Sequence, residues 1–146
     1  MSETLLIAPM QDGDVDALAA LWERCGLTRP WNDPQGDIAF AMKSLSTEIL
    51  IGRFGGNVRA SAMVGHDGHR GWVYYLAVDA DLRGHGFGAL MMSAAEDWLR
   101  AQGIAKAMLM VRADNKAVCD FYEAIGYETQ ERVIYAKWLD GRPMTP

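Results

Sequence analysis

Cysteine is scarce in this chain. Cys25 and Cys119 are the two among 146 residues, too few for the disulfide framework that staples small secreted domains, and Cys119 reads as an ordinary packed or half-exposed helix residue. Histidine forms no cluster either. His66 and His69 share a glycine-rich turn and His85 lies in a separate glycine loop, so no set with ligand spacing forms and no metal is expected. No apolar run approaches a membrane span, and Met1-Ser2-Glu3-Thr4 carries no basic leader segment; a cytoplasmic protein with no membrane partner is expected. A net basic charge is also missing. A formal net charge of −5 argues against nucleic acid, whose binding rests on neutralising phosphates. It fits a cationic ligand weakly and fits plain solubility as well. Pro/Gly/Ser-rich linkers, repeats and low-complexity tracts are absent. With half its residues hydrophobic, the chain can bury about two-thirds of its unfolded surface, and one domain over residues 1–146 is expected.

What is present is concentrated in Leu76–Gly88, LAVDADLRGHGFG. Trp72 to Val78 are seven successive apolar or aromatic residues, a buried strand that Asp79, Asp81 and the glycines stop. A helix follows. Phe87, Leu90, Met91, Ala94, Trp98 and Leu99 recur at helical spacing, Ser93, Glu96, Asp97 and Arg100 face outward, and Gly103 stands where a C-terminal cap belongs. The loop Gly84–Gly88 is therefore a helix N-terminus. Gly84, Gly86 and Gly88 lack a β-carbon, so an anion can approach free backbone N–H groups and the positive end of the helix dipole. Arg83 and His85 add donors, and the arrangement suits a diphosphate.

Two common diphosphate motifs do not fit. A dinucleotide fold needs G-x-G-x-x-G with an acid about 20 residues on, and that count from Gly84 lands on Ile104–Met108, which has none. A P-loop needs Gly-Lys-Ser/Thr. No glycine here is followed by that pair.

Outside this segment, Thr4–Ala8 reads as a strand and Asp12–Cys25 as a helix with Val15, Leu18, Ala19 and Trp22 on its apolar face, ended by Gly26. After Thr28–Pro34 a second helix runs to about Leu45, with Asp33 as cap and Pro34 at its first position. Glu48–Phe54 and Val58–His66 pair across Gly55-Gly56-Asn57, a hairpin signal. Lys106–Val111 is a further strand, Asn115–Ile125 a helix, and Tyr127–Leu139 one or two closing strands. Met91, Met92, Met108 and Met110 read as core filler.

Arg83-Gly84-His85-Gly86-Phe87-Gly88 resembles the Arg/Gln-x-x-Gly-x-Gly/Ala pattern with which the GNAT superfamily of acyl-CoA-dependent N-acetyltransferases holds coenzyme A. Val111-Arg112-Ala113-Asp114-Asn115 and the helix ending Phe121-Tyr122-Glu123-Ala124-Ile125-Gly126-Tyr127 resemble its second motif, so the likeness covers Trp72–Tyr127. The order β-α-α-β-β-β-α-β-α-β matches that family's mixed α+β fold, which implies parallel strands ending at Val78 and Val111 that splay apart. The pantetheine arm of acetyl-CoA would lie in the splay, bonded to backbone at Leu76, Ala77 and Val78 like an added strand. Its diphosphate would meet Arg83, Gly84, His85, Gly86, Phe87 and Gly88.

The resemblance also implies roles in the chemistry. The N–H of Val78 or a neighbour would hold the thioester oxygen. Asn115 and Tyr122 lie seven residues apart and share a helix face; Asn115 would contact pantetheine and Tyr122 would protonate the departing sulfur. A phenol of pKa about 10 facing a thiolate of about 8.5 is uphill by roughly 2 kcal/mol in water, a gap a dry site can close. Tyr122 also fits an apolar stripe with Val118 and Ile125 as plain core.

A base for the amine is harder to find. Protein N-terminal acetyltransferases carry Glu-Val-Arg where this chain has Met110-Val111-Arg112, and other members place a glutamate where this chain has Trp72-Val73-Tyr74-Tyr75. Tyr74 acting through water, an acid such as Asp33 or Asp37, or no base at all remain. The loop Leu27–Gly36 would form the acceptor site through Trp31, Asn32 and Asp33, residues that read equally as a helix start with a staple. A small-molecule or peptide amine is the expected acceptor and a monomer or homodimer the expected state. Transfer to an N-terminal α-amine and a non-catalytic acyl-CoA-binding module are the alternatives.

Overall fold

The computed structural model describes residues 4–144, in two compact units that meet in the chain at Met110 and Val111. The first unit holds one sheet of five strands in the order β1 (Leu6–Pro9), β2 (Thr47–Phe54), β3 (Asn57–His66), β4 (Gly71–Val78), β5 (Ala107–Met108). The first four pair antiparallel and β5 joins β4 parallel. The hairpin turn is Gly55 and Gly56 alone. Both have positive φ, and Phe54 pairs with Asn57, the two-residue geometry that suits the twist of the flanking strands.

Helices α1 (Val15–Arg24) and α2 (Pro34–Met42) cover one face of the sheet. Leu18, Leu21 and Trp22 of α1 and Ile38 of α2 are fully buried with Ile49 and Ile51 of β2 and Ala77 of β4. By the pleat, Leu50 and Gly52 point to the other face, where α3 (Phe87–Ala101) lies. A Cβ at Gly52 would stand 3.0 Å from Met91 Sδ, and one at Gly71 2.6 Å from Leu99 Cδ1, so both glycines let α3 approach the strands closely. The second unit carries α4 (Lys116–Ala124). No helix among the described residues is long and apolar enough to cross a membrane.

The expected element order holds through α4, with shifted details. The first helix begins as a 3-10 turn at Asp12–Asp14, and the second stops at Met42, leaving Leu45 fully exposed. The buried face of α3 is close to the one expected: Met91, Met92 and Leu99 are buried, Ala95 joins them, and Leu90 is half exposed, because the close packing on Gly52 and Gly71 sets the helix rotation. Met110, expected as core filler, is half exposed too. The strand expected at Lys106–Val111 pairs only at Ala107 and Met108. The expected closing strands over Tyr127–Leu139 are not formed among the described residues. Val133, Ile134, Tyr135 and Leu139 of that stretch are exposed, and an apolar run without a ladder partner and a face to cover gains nothing from extended pairing.

Two polar networks hold β4 in place. Trp22 Nε1–H donates to Ser61 Oγ at 2.9 Å, and Ser61 Oγ–H donates to the Tyr75 carbonyl at 2.8 Å; Ser61 is completely buried. At the strand's end, Asp79 accepts from Arg24 Nε and Nη2 at 3.0 Å each and from Arg59 Nε at 2.6 Å, and Arg59 also reaches Asp81. The Arg24 hydrogen bonds first, and Arg59 after, hold the Asp79 carboxyl below the usual carboxylate range against the opposing effect of burial.

Ser61→Ala leaves a buried indole N–H and a carbonyl without their partner, and is expected to lower unfolding free energy by about 2 kcal/mol in a denaturant titration. The pH dependence follows from Asp79. A carboxyl whose folded pKa is depressed contributes stability that is whole above its unfolded value near ~4 and is lost as pH falls toward the folded value. Asp79→Asn should therefore lower the melting temperature at neutral pH and flatten its decline on acidification below about pH 5; an unchanged acid slope would rule this network out as its source.

Candidate active site

The open side of β4 is the centre of the site. Its pairing with β5 ends at Trp72, while β4 continues six residues further to Val78. Toward β3, the Asp79 N–H bonds to the Arg59 carbonyl, and Ala60 faces Val78 one step along the ladder. Because bonded and non-bonded pairs alternate in an antiparallel ladder, the Val78 N–H and carbonyl point away from β3, to the open side. The carbonyl takes a bond from Arg83 Nε at 3.2 Å and one from Cys25 Sγ at 3.5 Å. Burial pushes the Cys25 thiol up, with Arg83 opposing, which keeps it a thiol and a donor.

Midway along this edge the strand bulges. Ser61 faces Ala77 and Met63 faces Tyr74, so the one residue Ala62 stands opposite Tyr75 and Leu76 together. Tyr75 has φ +53, a left-handed position that glycine usually takes in such a bulge. The bulge turns both tyrosines to the α1–α2 face. Tyr74 pairs with Met63, which packs on that core, and the Tyr75 ring stacks on Trp22 at 3.7 Å with planes 6° apart. Tyr75 O–H donates to Asp37 Oδ2 of α2 at 2.8 Å. Burial first, then the Asp37 hydrogen bond, raises the Tyr75 hydroxyl far above the phenol range. Burial, then the charge of Asp67, raises that of Tyr74, which is 44% exposed.

β4 leads through a 3-10 turn at Ala80–Leu82 to the glycine loop. Arg83, Gly84, His85 and Gly86 are exposed, and Phe87 and Gly88 half-buried, at the start of α3. Gly86 is the N-cap with φ +80 and no side-chain capping bond, so the first N–H groups of α3 are uncapped by side chains and the loop turn requires glycine. A cavity of about 270 Å³ beside it is lined by Phe54, Leu82, His85 and Phe87.

The acceptor candidates lie before α2. Trp31 and Asn32 are half-buried and Asp33 is exposed at the helix N-cap. Asp33 also lines a cavity of about 370 Å³ with Asp16 and Glu23 of α1. In the second unit Asn115 caps α4, its Oδ1 accepting from the Val118 N–H at 3.3 Å. Tyr122 lies edge-on to Phe121 at 5.0 Å and Tyr127 at 5.8 Å, and burial pushes its hydroxyl up to about 12.

Sequence reasoning missed the Tyr75 bulge, the Asp79 network, Phe54 and Leu82. Two adjacent tyrosines within the apolar run of β4 were the one available signal for the bulge. Arg24 and Arg59 lie 55 and 20 residues from Asp79, a separation no local pattern reveals.

Comparison with known proteins agrees with the fold. A model of the acetyltransferase (GNAT) family matches residues 12–127. An acetyltransferase of Yersinia enterocolitica is 42% identical over 91% of this chain and 94% of its own length; one of Pectobacterium atrosepticum is 44% identical over 86% and 89%. The structure of a ribosomal-protein-alanine N-acetyltransferase of Escherichia coli superposes with a TM-score of 0.75 at 25% identity, covering 95% of this chain and 88% of that one. An aminoglycoside N-acetyltransferase in complex with CoA superposes with a TM-score of 0.83, covering 95% and 97%. At 16% identity that likeness is one of fold alone. With the family model and the relatives each spanning most of its length, the chain belongs to the GNAT family and is an N-acetyltransferase of that type.

Proposed function

We propose that this protein transfers the acetyl group of acetyl-CoA directly to a primary amine while both are bound. The observation that carries the reading is the open edge of β4 running into the uncapped N-terminus of α3. An extended amide-bearing arm can pair with the edge as a strand would, and a diphosphate suits the helix N-terminus. Leu76, Ala77 and Val78 then hold pantetheine, and Arg83 to Gly88 hold the diphosphate. The Val78 N–H, aimed to the open side, bonds the thioester oxygen and stabilises the negative charge that grows there. The family match over residues 12–127 spans both units, which supports their acting as one transferase.

The amine nitrogen attacks the thioester carbon, the C–S bond breaks, and the amide and a thiolate result. Tyr122 gives the thiolate its proton and regains one from the amine side through solvent. At about 12 the phenol is protonated throughout the neutral range, so the proton is always in place. A dry site raises the thiol as well as the phenol, which keeps the transfer within reach. Asn115, with its Oδ1 engaged in the cap, has its amide N–H groups for pantetheine.

The acceptor is a small amine or a peptide amine. One observation favours an N-terminal α-amine, the 25% identity with the ribosomal-protein-alanine enzyme. An α-amine of pKa about 8 is partly neutral at working pH, whereas a lysine near ~10.4 is not, so the α-amine is also the acceptor that least needs the carboxylate Met110 has replaced. Thiol release from acetyl-CoA against small amines, polyamines, amino acids and peptides tests both forms. Release confined to peptides with a free N-terminus selects the second; no release with any amine rejects the transferase reading.

Tyr122→Phe is expected to leave acetyl-CoA affinity within a few-fold and to cut turnover by about a hundredfold; unchanged turnover removes Tyr122 from the acid role. Gly86→Val, which puts a β-branched residue at positive φ, should reduce acetyl-CoA binding by at least ~10-fold in calorimetry. Retained affinity would move the diphosphate elsewhere.

A further inference from the structure

We infer that Asp37 is the carboxylate that receives the acceptor's amino group, and that Tyr75, from the β4 bulge, is the residue that positions it. The inference rests on the transferase reading and adds the group that the strand residues do not supply.

Three observations carry it. The first is charge. The two buried carboxylates among the described residues of this unit each meet a guanidinium, Asp14 that of Arg53 and Asp79 those of Arg24 and Arg59. Asp37, half-buried on α2, meets a neutral phenol, and no ion pair to it forms among the described residues. Arg29, a nearby cation in sequence, bonds instead to the carbonyls of Gly26 and Thr28. A carboxylate partly removed from water and without a cation favours binding one. A carboxylate has about four lone-pair sites, of which the Tyr75 hydroxyl takes one, so sites remain for an ammonium or for the N–H of an attacking amine.

The second is strain. A tyrosine at φ +53 persists only where the surroundings over-determine it, and here they do so from three sides: the Ser61 bond to its carbonyl, the Trp22 ring against its own, and Asp37 at its hydroxyl. The result is a phenol held rigidly with its O–H aimed at one carboxylate oxygen. A merely structural tie between α2 and the sheet needs no bulge, since a tyrosine in regular extended conformation can reach a helix at no backbone cost.

The third is location. Tyr75 lies within the stretch of β4 whose open edge is available beyond Trp72, three residues before Val78. A group held at Asp37 is thus one side chain from the strand proposed to carry the thioester. Asp33, the N-cap of α2, stands one turn before Asp37, and the Asp37 N–H donates to its carbonyl at 2.8 Å, which fixes Asp37 at the start of the helix.

The experiment is a backbone-amide NMR titration of the full chain with butylamine, spermidine and alaninamide, each with and without CoA, and with butanol as the neutral control. The amides of Asp37 and Tyr75 are expected to shift saturably with at least one amine and with butanol not at all. Asp37→Asn should weaken that binding at least tenfold, Asp37→Glu should recover part of it, and Tyr75→Phe, which keeps the ring on Trp22, should weaken it by a smaller factor. In turnover, the same variants should raise KM for the amine more than they lower kcat, with acetyl-CoA affinity unchanged. Amine binding that spares Asp37 and Tyr75, the absence of binding by all three amines, or equal binding by Asp37→Asn overturns the inference. So does a parallel loss of acetyl-CoA affinity in Tyr75→Phe, which marks the pair as structural. Failure of the transferase reading has a different signature, no thiol release with any amine, and leaves the titration to decide Asp37 by itself.

Discussion

A tyrosine in left-handed conformation inside a β-strand is unfavourable, and the hydrogen bond from Ser61 to its carbonyl is what makes it tenable. Ser61 could not make that bond alone at low cost, because a buried hydroxyl has two roles to fill. Trp22 fills the other by donating its indole N–H, and its ring then becomes the surface on which Tyr75 stacks. One helix residue, one serine on β3 and the bulge on β4 are therefore a single unit. The sequence of consequences runs outward from it: two adjacent tyrosines face α1 and α2, Asp37 receives a hydroxyl, and the strand beyond the bulge regains register with β3 so that Val78 presents its backbone to the open side.

Charge fixes the end of that strand. Arg24 and Arg59 converge on Asp79 from α1 and β3, so the strand cannot drift where it turns into the glycine loop. This matters for chemistry that depends on backbone more than on side chains. The proposed oxyanion contact, pairing of an extended arm and reception of a diphosphate would all use N–H groups whose direction is set by how β4 ends and how α3 begins. In the proposed reaction side chains enter where a proton would move or a cation would be held, and there the surroundings differ: burial keeps Tyr122 protonated, while Asp37 is left with a neutral partner.

Much of the fold was legible in residue order. Strands β2 to β4 and helix α3 came within a residue of their expected bounds because hydrophobic periodicity and glycine punctuation are local properties. The glycine loop was legible for the same reason, and Gly86 does cap α3 in the left-handed conformation its lack of a β-carbon allows. The misses are non-local. The inward face of α3 depends on which strand positions are glycine, so Ala95 is buried where Leu90 was expected. The fifth strand kept two paired residues, and the stretch 127–139 took no strand, because a ladder needs a partner and β-propensity does not provide one.

By itself the sequence determined the local grammar of the protein: the helices and strands from β1 through α4, where a phosphate-sized anion can meet bare backbone N–H groups, and, through the spacing Arg83–Gly88 and Val111–Tyr127, its family. Tertiary structure alone decided the direction of the Val78 N–H, the bulge at Tyr75, the convergence of two arginines on Asp79 and the meeting of Tyr75 with Asp37. The division has a physical cause. Propensity, capping and turn chemistry act over a few neighbouring residues, whereas Trp22 and Ser61 are 39 residues apart and Asp37 and Tyr75 are 38 apart, and contacts of that span exist only once the sheet has brought them together.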